Sequence, residues 1–136
     1  MSAAPASAAR PLSFLAFDFG ARRVGVASGN TLTRTATPLT TVAAQGEARL
    51  EAIGKLIADW QPAALVVGVP FHPDGAAHAN TDRARRFGRE LQARFDLPVH
   101  EVDERYTTTS ARSAGAGDLD AAAAAIILEQ HLAALA

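Results

Sequence analysis

Residues Ala64-Leu65-Val66-Val67-Gly68-Val69 are apolar at every position, and Pro62 and Pro70 close the run on either side. A strand covered on one face alternates apolar and polar side chains. A short run without alternation is what a central parallel strand shows, because it is buried on both faces. Such a strand needs crossover helices before and after it, and the flanking segments supply them. Upstream, Leu50, Ile53, Ile57 and Trp60 recur at helical spacing. Downstream, the loop Pro70-Phe71-His72-Pro73-Asp74-Gly75 leads into a helix from about Thr81 to Phe95, with the apolar stripe Ala84, Phe87, Leu91 and Phe95.

The remaining strands follow from the same reading. Strand-like segments run Ser13–Phe19, Arg22–Ser28 and about Thr33–Val42, with turns at Gly20-Ala21 and Gly29-Asn30 short enough for an antiparallel meander. Pro38 marks the third as an edge strand. Pro98–Asp103 forms a fifth strand, followed by a short helical stretch from about Thr107 and an alanine-rich C-terminal helix. Right-handed crossovers set the first strand at the centre, beside Ala64–Val69, with Pro98–Asp103 next outward. The expected fold is a three-layer α/β domain, a five-stranded mixed sheet with helices on both faces, over residues 13–136. Residues 1–12 are expected to form a disordered tail.

Composition narrows the function classes. Net charge is −1, which argues against a protein that coats nucleic acid indiscriminately. Cysteine is absent, so disulfides and thiolate metal sites are excluded. No apolar run is long enough to span a bilayer. The N-terminal segment Met1–Arg10 lacks the apolar centre of a secretory signal, and a cytoplasmic location is expected.

Asp18 closes the apolar run Phe14-Leu15-Ala16-Phe17 and precedes Phe19. A carboxylate at the end of a buried strand costs several kcal/mol unless something cationic compensates it, on the order of the penalty for any buried charge. Asp103 and Glu104 close the Pro98–Asp103 strand in the same manner, and Asp120 opens the helix that ends in Ile126-Ile127-Leu128. Three separated acids at the edges of buried elements look like a site for Mg²⁺ or Mn²⁺, which take oxygen ligands. Open parallel sheets carry their sites beyond the carboxyl ends of the strands, where Asp18 and the Asp103-Glu104 pair lie.

The motifs Phe17-Asp18-Phe19-Gly20-Ala21-Arg22-Arg23-Val24-Gly25-Val26-Ala27, Val67-Gly68-Val69-Pro70, Asp74-Gly75, Asp103-Glu104-Arg105 and Asp120-Ala121-Ala122-Ala123-Ala124-Ala125-Ile126-Ile127-Leu128 together resemble the YqgF/RuvX family. The resemblance covers essentially everything after the N-terminal tail. It implies a ribonuclease H-like fold related to RuvC-type Holliday-junction resolvases. It also implies metal-dependent hydrolysis at the 5′ end of precursor 16S rRNA, in the cytoplasm, with Asp18, Glu104 and Asp120 as the acidic, metal-holding set. Asp103 and Glu104 point to opposite faces by alternation, and the family pattern selects Glu104. One departure stands out: many members carry a longer glycine- and lysine-containing loop before this aspartate, where this chain has Ala114-Gly115-Ala116-Gly117.

Positive charge is nearly all arginine, and Arg83, Arg85, Arg86, Arg89 and Arg94 crowd into one helix. Arginine forks suit phosphates, so Arg85, Arg86 and Arg89 are either substrate contacts or a solvated helix face. Arg22 and Arg23 follow Asp18 in a turn, and Arg105 follows Glu104; all three are candidate phosphate contacts or plain turn and edge residues. His72 and His78 lie in the loop after Val69, without the spacing of a zinc site. Thr107 or Thr108 reads as a helix N-cap, and so does Asp118, which leaves Asp120 free to face Asp18.

The expected partner is precursor rRNA, within pre-ribosomal particles, and the expected state is a monomer or weak dimer. Two readings compete with rRNA processing: cleavage of branched DNA, and a non-catalytic RNA-binding assembly factor. The Asp18-Phe19-Gly20 segment also resembles the first phosphate loop of actin-like ATPases, but the second glycine-rich loop those folds need is missing.

Overall fold

In a computed structural model, residues 11–72, 74–77, 79–104 and 119–135 are described. Five strands, β1 (Ser13–Phe19), β2 (Val24–Asn30), β3 (Ala36–Val42), β4 (Ala64–Val69) and β5 (Val99–Asp103), form one sheet in the order β3-β2-β1-β4-β5. β1 is antiparallel to β2 and parallel to β4, and β5 is parallel to β4. Helices α1 (Gly46–Trp60) and α2 (Thr81–Phe95) make the crossovers, and α3 (Leu119–Ala134) covers the opposite face. The expected architecture is therefore present, with β1 at the centre.

The two faces follow from alternation along β1. Leu15 and Phe17 pack with Leu65 and Val67 beneath Ile53 of α1 and Phe87 and Leu91 of α2. Phe14 and Ala16 pack with Val66 and Val102 beneath Ile127, Leu128 and Leu132 of α3. Every residue of β4 is buried, which is why its sequence shows no alternation. The alanines of α3 serve two ends: they favour the helix, and the buried Ala121, Ala123, Ala124 and Ala125 let its backbone lie close to the sheet.

Three strand starts differ from the sequence reading, that of β5 by one residue, at Val99 rather than Pro98. β2 begins at Val24 rather than Arg22, because Arg22 and Arg23 lie in the turn. β3 begins at Ala36 because Asn30 Oδ1 accepts hydrogen bonds from the Leu32 and Thr33 backbone N–H groups, at 2.9 and 3.0 Å. That asparagine-built turn holds the chain out of the ladder. Pro38 does sit on an edge strand, opposite Ala27, where the register of β2 shifts. Helix α1 stops at Gln61, which takes a left-handed conformation (φ 46°) and donates its N–H to Ile57 O before Pro62.

At the β5–α3 contact, the rings of His100 and His131 stack with centroids 4.9 Å apart, and Phe14 meets His131 edge-on at 5.3 Å. Burial, aided by His100, holds the His131 imidazole below its ordinary value. A base with a lowered folded-state pKa leaves the unfolded chain binding more protons, so stability falls as pH drops below the ordinary value of about 6.5. The expected result is that His131→Phe flattens the fall in melting temperature between about pH 7 and pH 5 relative to wild type. Parallel melting curves across that range check it.

Candidate active site

Asp18 is the last α3-facing position of β1, in line with Phe14 and Ala16, and only 7% exposed. Its lateral partners are Gly25 on β2 and Gly68 on β4. Neither glycine brings a side chain, and the vacated space is taken by the Glu104 carboxylate beside Gly68 and by the Asp120 backbone beside Gly25. A Cβ on Gly68 would collide with Glu104 Oε2 and Ile127 Cδ1. A Cβ on Gly25 would collide with the Asp120 carbonyl oxygen and come within 2.8 Å of the Ala121 nitrogen. The pair of glycines thus lets Glu104 reach in from one side while the first turn of α3 is laid down on the other.

Glu104 comes from just beyond β5, where its N–H bonds to Val69 O at 3.1 Å. It is 8% exposed and lies on the Asp18 face, while Asp103 is exposed. The structure therefore separates the two as alternation requires. Because position 68 carries no side chain, the acid from the next strand out spans the gap. Asp120 lies in the first turn of α3, and its carboxylate meets Arg23 Nε at 3.1 Å.

Among the described residues, no three Asp, Glu or His side chains converge tightly enough to hold a metal ion as they stand. The donor set nevertheless suits Mg²⁺ or Mn²⁺: hard carboxylate oxygens, two of them buried, over a cradle that a single Cβ would fill. The Asp120 carboxylate is instead paired with Arg23, whose side chain is 64% exposed. An exposed pair of this kind is worth about 0–1 kcal/mol, so it yields readily to a divalent ion. Replacing Arg23 by Ala is accordingly expected to tighten Mn²⁺ binding several-fold, as read by titration calorimetry in the absence of substrate. An unchanged affinity would mean that Asp120 does not contribute.

Arg49 is a residue that motif reading passed over. It is 7% exposed, donates from Nε to Ala44 O at 2.8 Å and from Nη2 to Ala21 O at 3.0 Å, and lies 5.5 Å over the Phe19 ring. It thereby ties the β1–β2 turn, with Arg22 and Arg23, to the start of α1. Burial holds its pKa below the ordinary value, against the pull of Glu90. The available signal was its spacing, four residues before Ile53 in the apolar stripe of α1.

The arginines of α2 do not form one surface. Arg85 faces β5, pairing with Glu101 at 3.4 Å and stacking 5.3 Å from the Phe71 ring, and Arg89 follows it four residues on. Arg83 and Arg86 face α1 instead, across a cavity. Arg94 binds Glu47, and that hydrogen bond holds the Glu47 carboxyl below its ordinary value. His72 is exposed in the turn whose ends are tied by a Phe71–Ala77 bridge. Arg105, Thr107, Thr108, Asp118, His78 and the Ala114–Gly117 segment lie outside the described residues, as do residues 1–10.

Residues 12–134 are matched by the family model described as RuvX, Holliday junction resolvase. The chain belongs to the RuvX family. Among its relatives, a candidate pre-16S rRNA nuclease of Polaromonas sp. (strain JS666 / ATCC BAA-500) is 63% identical over 132 residues, covering 97% of this chain and 96% of that protein. One so described from Albidiferax ferrireducens is 65% identical, covering 92% and 80%. Among solved structures, Thermus thermophilus RuvC in complex with a Holliday junction substrate superposes with a TM-score of 0.56 at 17% identity, covering 91% of this chain and 95% of that one. That likeness establishes the ribonuclease H-like fold. No helix among the described residues is long and apolar enough to cross a membrane.

Proposed function

We propose that this RuvX-family chain is a metal-dependent phosphodiester hydrolase that trims the 5′ end of precursor 16S rRNA in the cytoplasm, with Asp18, Glu104 and Asp120 holding Mg²⁺ or Mn²⁺. The observation that carries the reading is the placement of Asp18 between Gly25 and Gly68, with Glu104 over one glycine and the Asp120 turn over the other. Divalent ions held there would supply the charge that activates water and stabilises the leaving oxygen in an in-line displacement. The protein's own part is positional. β1 fixes Asp18 rigidly, the Leu119–Ala134 helix closes the apolar side of the site, and Arg22 and Arg23 stand exposed beside it as cations for the substrate phosphate. The turn that carries them is held by Arg49.

The names of the relatives point to precursor rRNA, whereas the family description and the RuvC fold favour branched DNA as a second reading. A side-by-side assay on 5′-extended precursor rRNA and a synthetic four-way junction separates them. The expected outcome is metal-dependent cleavage of the RNA and little of the junction. The reverse preference would transfer the function to DNA. Retained RNA binding without turnover on either substrate would mark a non-catalytic assembly factor.

A further inference from the structure

At the carboxyl end of β1 the chain passes from one face of the sheet to the other in a single step. Asp18 faces α3, and Phe19, the next residue, faces a cavity of about 430 Å³ between α1 and α2. Sites for small ligands run from about 300 to 1,000 Å³, so this volume admits one nucleotide. One wall is the half-buried Phe19, which rests on the buried Phe87 with ring centroids 5.2 Å apart. Its charges are sorted. Glu47 is engaged by Arg94, and Glu90 lies within electrostatic reach of the buried Arg49. Arg83 and Arg86 line the same cavity with exposed side chains. Arg83 reaches Asn80 Oδ1 only at a long 3.5 Å, and no ion pair engages Arg86 among the described residues.

A half-buried aromatic edge beside two exposed guanidinium groups is the chemistry that takes a nucleotide, its base against Phe19 and its phosphate on the arginines. We infer that this cavity is a subsite for an unpaired RNA nucleotide, reached by a strand that crosses the sheet edge from the carboxylates to Arg83 and Arg86. A duplex keeps its bases stacked inside and cannot lay one against Phe19, so the ligand is single-stranded. The inference rests on the nuclease reading for its biological setting but not for its test. It also divides the arginines of α2: Arg83 and Arg86 hold the strand, while Arg85 and Arg89, on the flank facing Glu101, do not.

The test is anisotropy with a labelled single-stranded RNA ten-mer and its duplex across a salt series, with Asp18→Asn as the background so that no cleavage intervenes. R83Q/R86Q is expected to weaken single-strand binding at least tenfold at low salt and to reduce the logarithmic salt slope by roughly 1.4, about 0.7 for each phosphate that an arginine no longer neutralises. R85Q/R89Q should stay within twofold of its parent, and the duplex should bind more weakly than the single strand. Phe19→Leu, which keeps an apolar side chain at the half-buried wall, should weaken single-strand binding several-fold. Equal effects of the two arginine pairs, no effect of R83Q/R86Q, or no single-strand binding at all would each overturn the subsite. If the subsite holds but the protein with its Asp18 intact cleaves neither RNA nor junction, the nuclease reading fails alone. If that protein cleaves precursor rRNA while R83Q/R86Q leaves KM unchanged, the subsite fails alone.

Discussion

Asp18→Asn is expected to remove hydrolysis while leaving a folded protein that is at least as stable as wild type. The substitution keeps the shape of the side chain and deletes its charge. Asp18 is buried on the same face as the buried Glu104. Like charges in one low-dielectric site disfavour each other, so losing one relieves the other. Activity therefore falls by orders of magnitude while the melting temperature holds or rises. Cleavage rates and thermal melts on the same preparation check both halves. Activity within a few-fold of wild type would remove Asp18 from the site.

The two glycines should fail in different ways when given a methyl group. At Gly25 the Cβ meets backbone, the Asp120 carbonyl and the Ala121 nitrogen, and backbone at the start of a helix can move only if the helix moves. Overpacking of this kind costs about 1–3 kcal/mol, which for a domain of this size lowers the melting temperature by roughly 3–12 °C. At Gly68 the Cβ meets two side-chain tips, Glu104 Oε2 and Ile127 Cδ1, which can swing aside. Gly68→Ala should therefore cost less stability than Gly25→Ala. The carboxylate of Glu104 is nonetheless pushed off its seat, and a displacement of about 1 Å in a catalytic group costs on the order of 100-fold in rate. Melting curves and rates on the two variants read this crossed pattern directly. Equal stability losses would mean that α3 does not rest closely on Gly25.

Much of the fold was legible because its signals are local. The unbroken apolar stretch of β4, the β1–β2 turn after Gly20 and Pro38 at the edge each report on their own immediate surroundings. The turn expected at Gly29-Asn30 instead falls further on, because both residues pair with β1. Asp18 was legible for the same reason, as an acid enclosed by phenylalanines. The strand starts at Val24 and Ala36 were not, because the polar residues before them resemble strand ends until the Asn30 side chain is seen to organise the turn. The roles of Gly25 and Gly68 were also hidden. A glycine within a strand announces a close approach without saying what approaches, and only the register sets both beside Asp18.

For the arginine cluster, helical spacing alone separates Arg85 and Arg89 from Arg83 and Arg86. It does not say which flank meets Glu101 and which meets the α1 cavity. That depends on how α2 lies between β5 and α1, a tertiary fact. Arg49 is the same kind of case, since a buried guanidinium is intelligible only once the carbonyls of Ala21 and Ala44 are found at its fork.

Whether the chain matures rRNA through its carboxylates is decided by mapping the 5′ ends produced when the purified protein meets 5′-extended precursor 16S rRNA. The reaction is run with Mg²⁺, with Mn²⁺, with chelator, and with Asp18→Asn in place of wild type. A shortened 5′ end should appear only with a divalent ion and only with Asp18 intact. A shortened end that persists in chelator, or that Asp18→Asn produces as well as wild type, would contradict a metal-dependent site at Asp18.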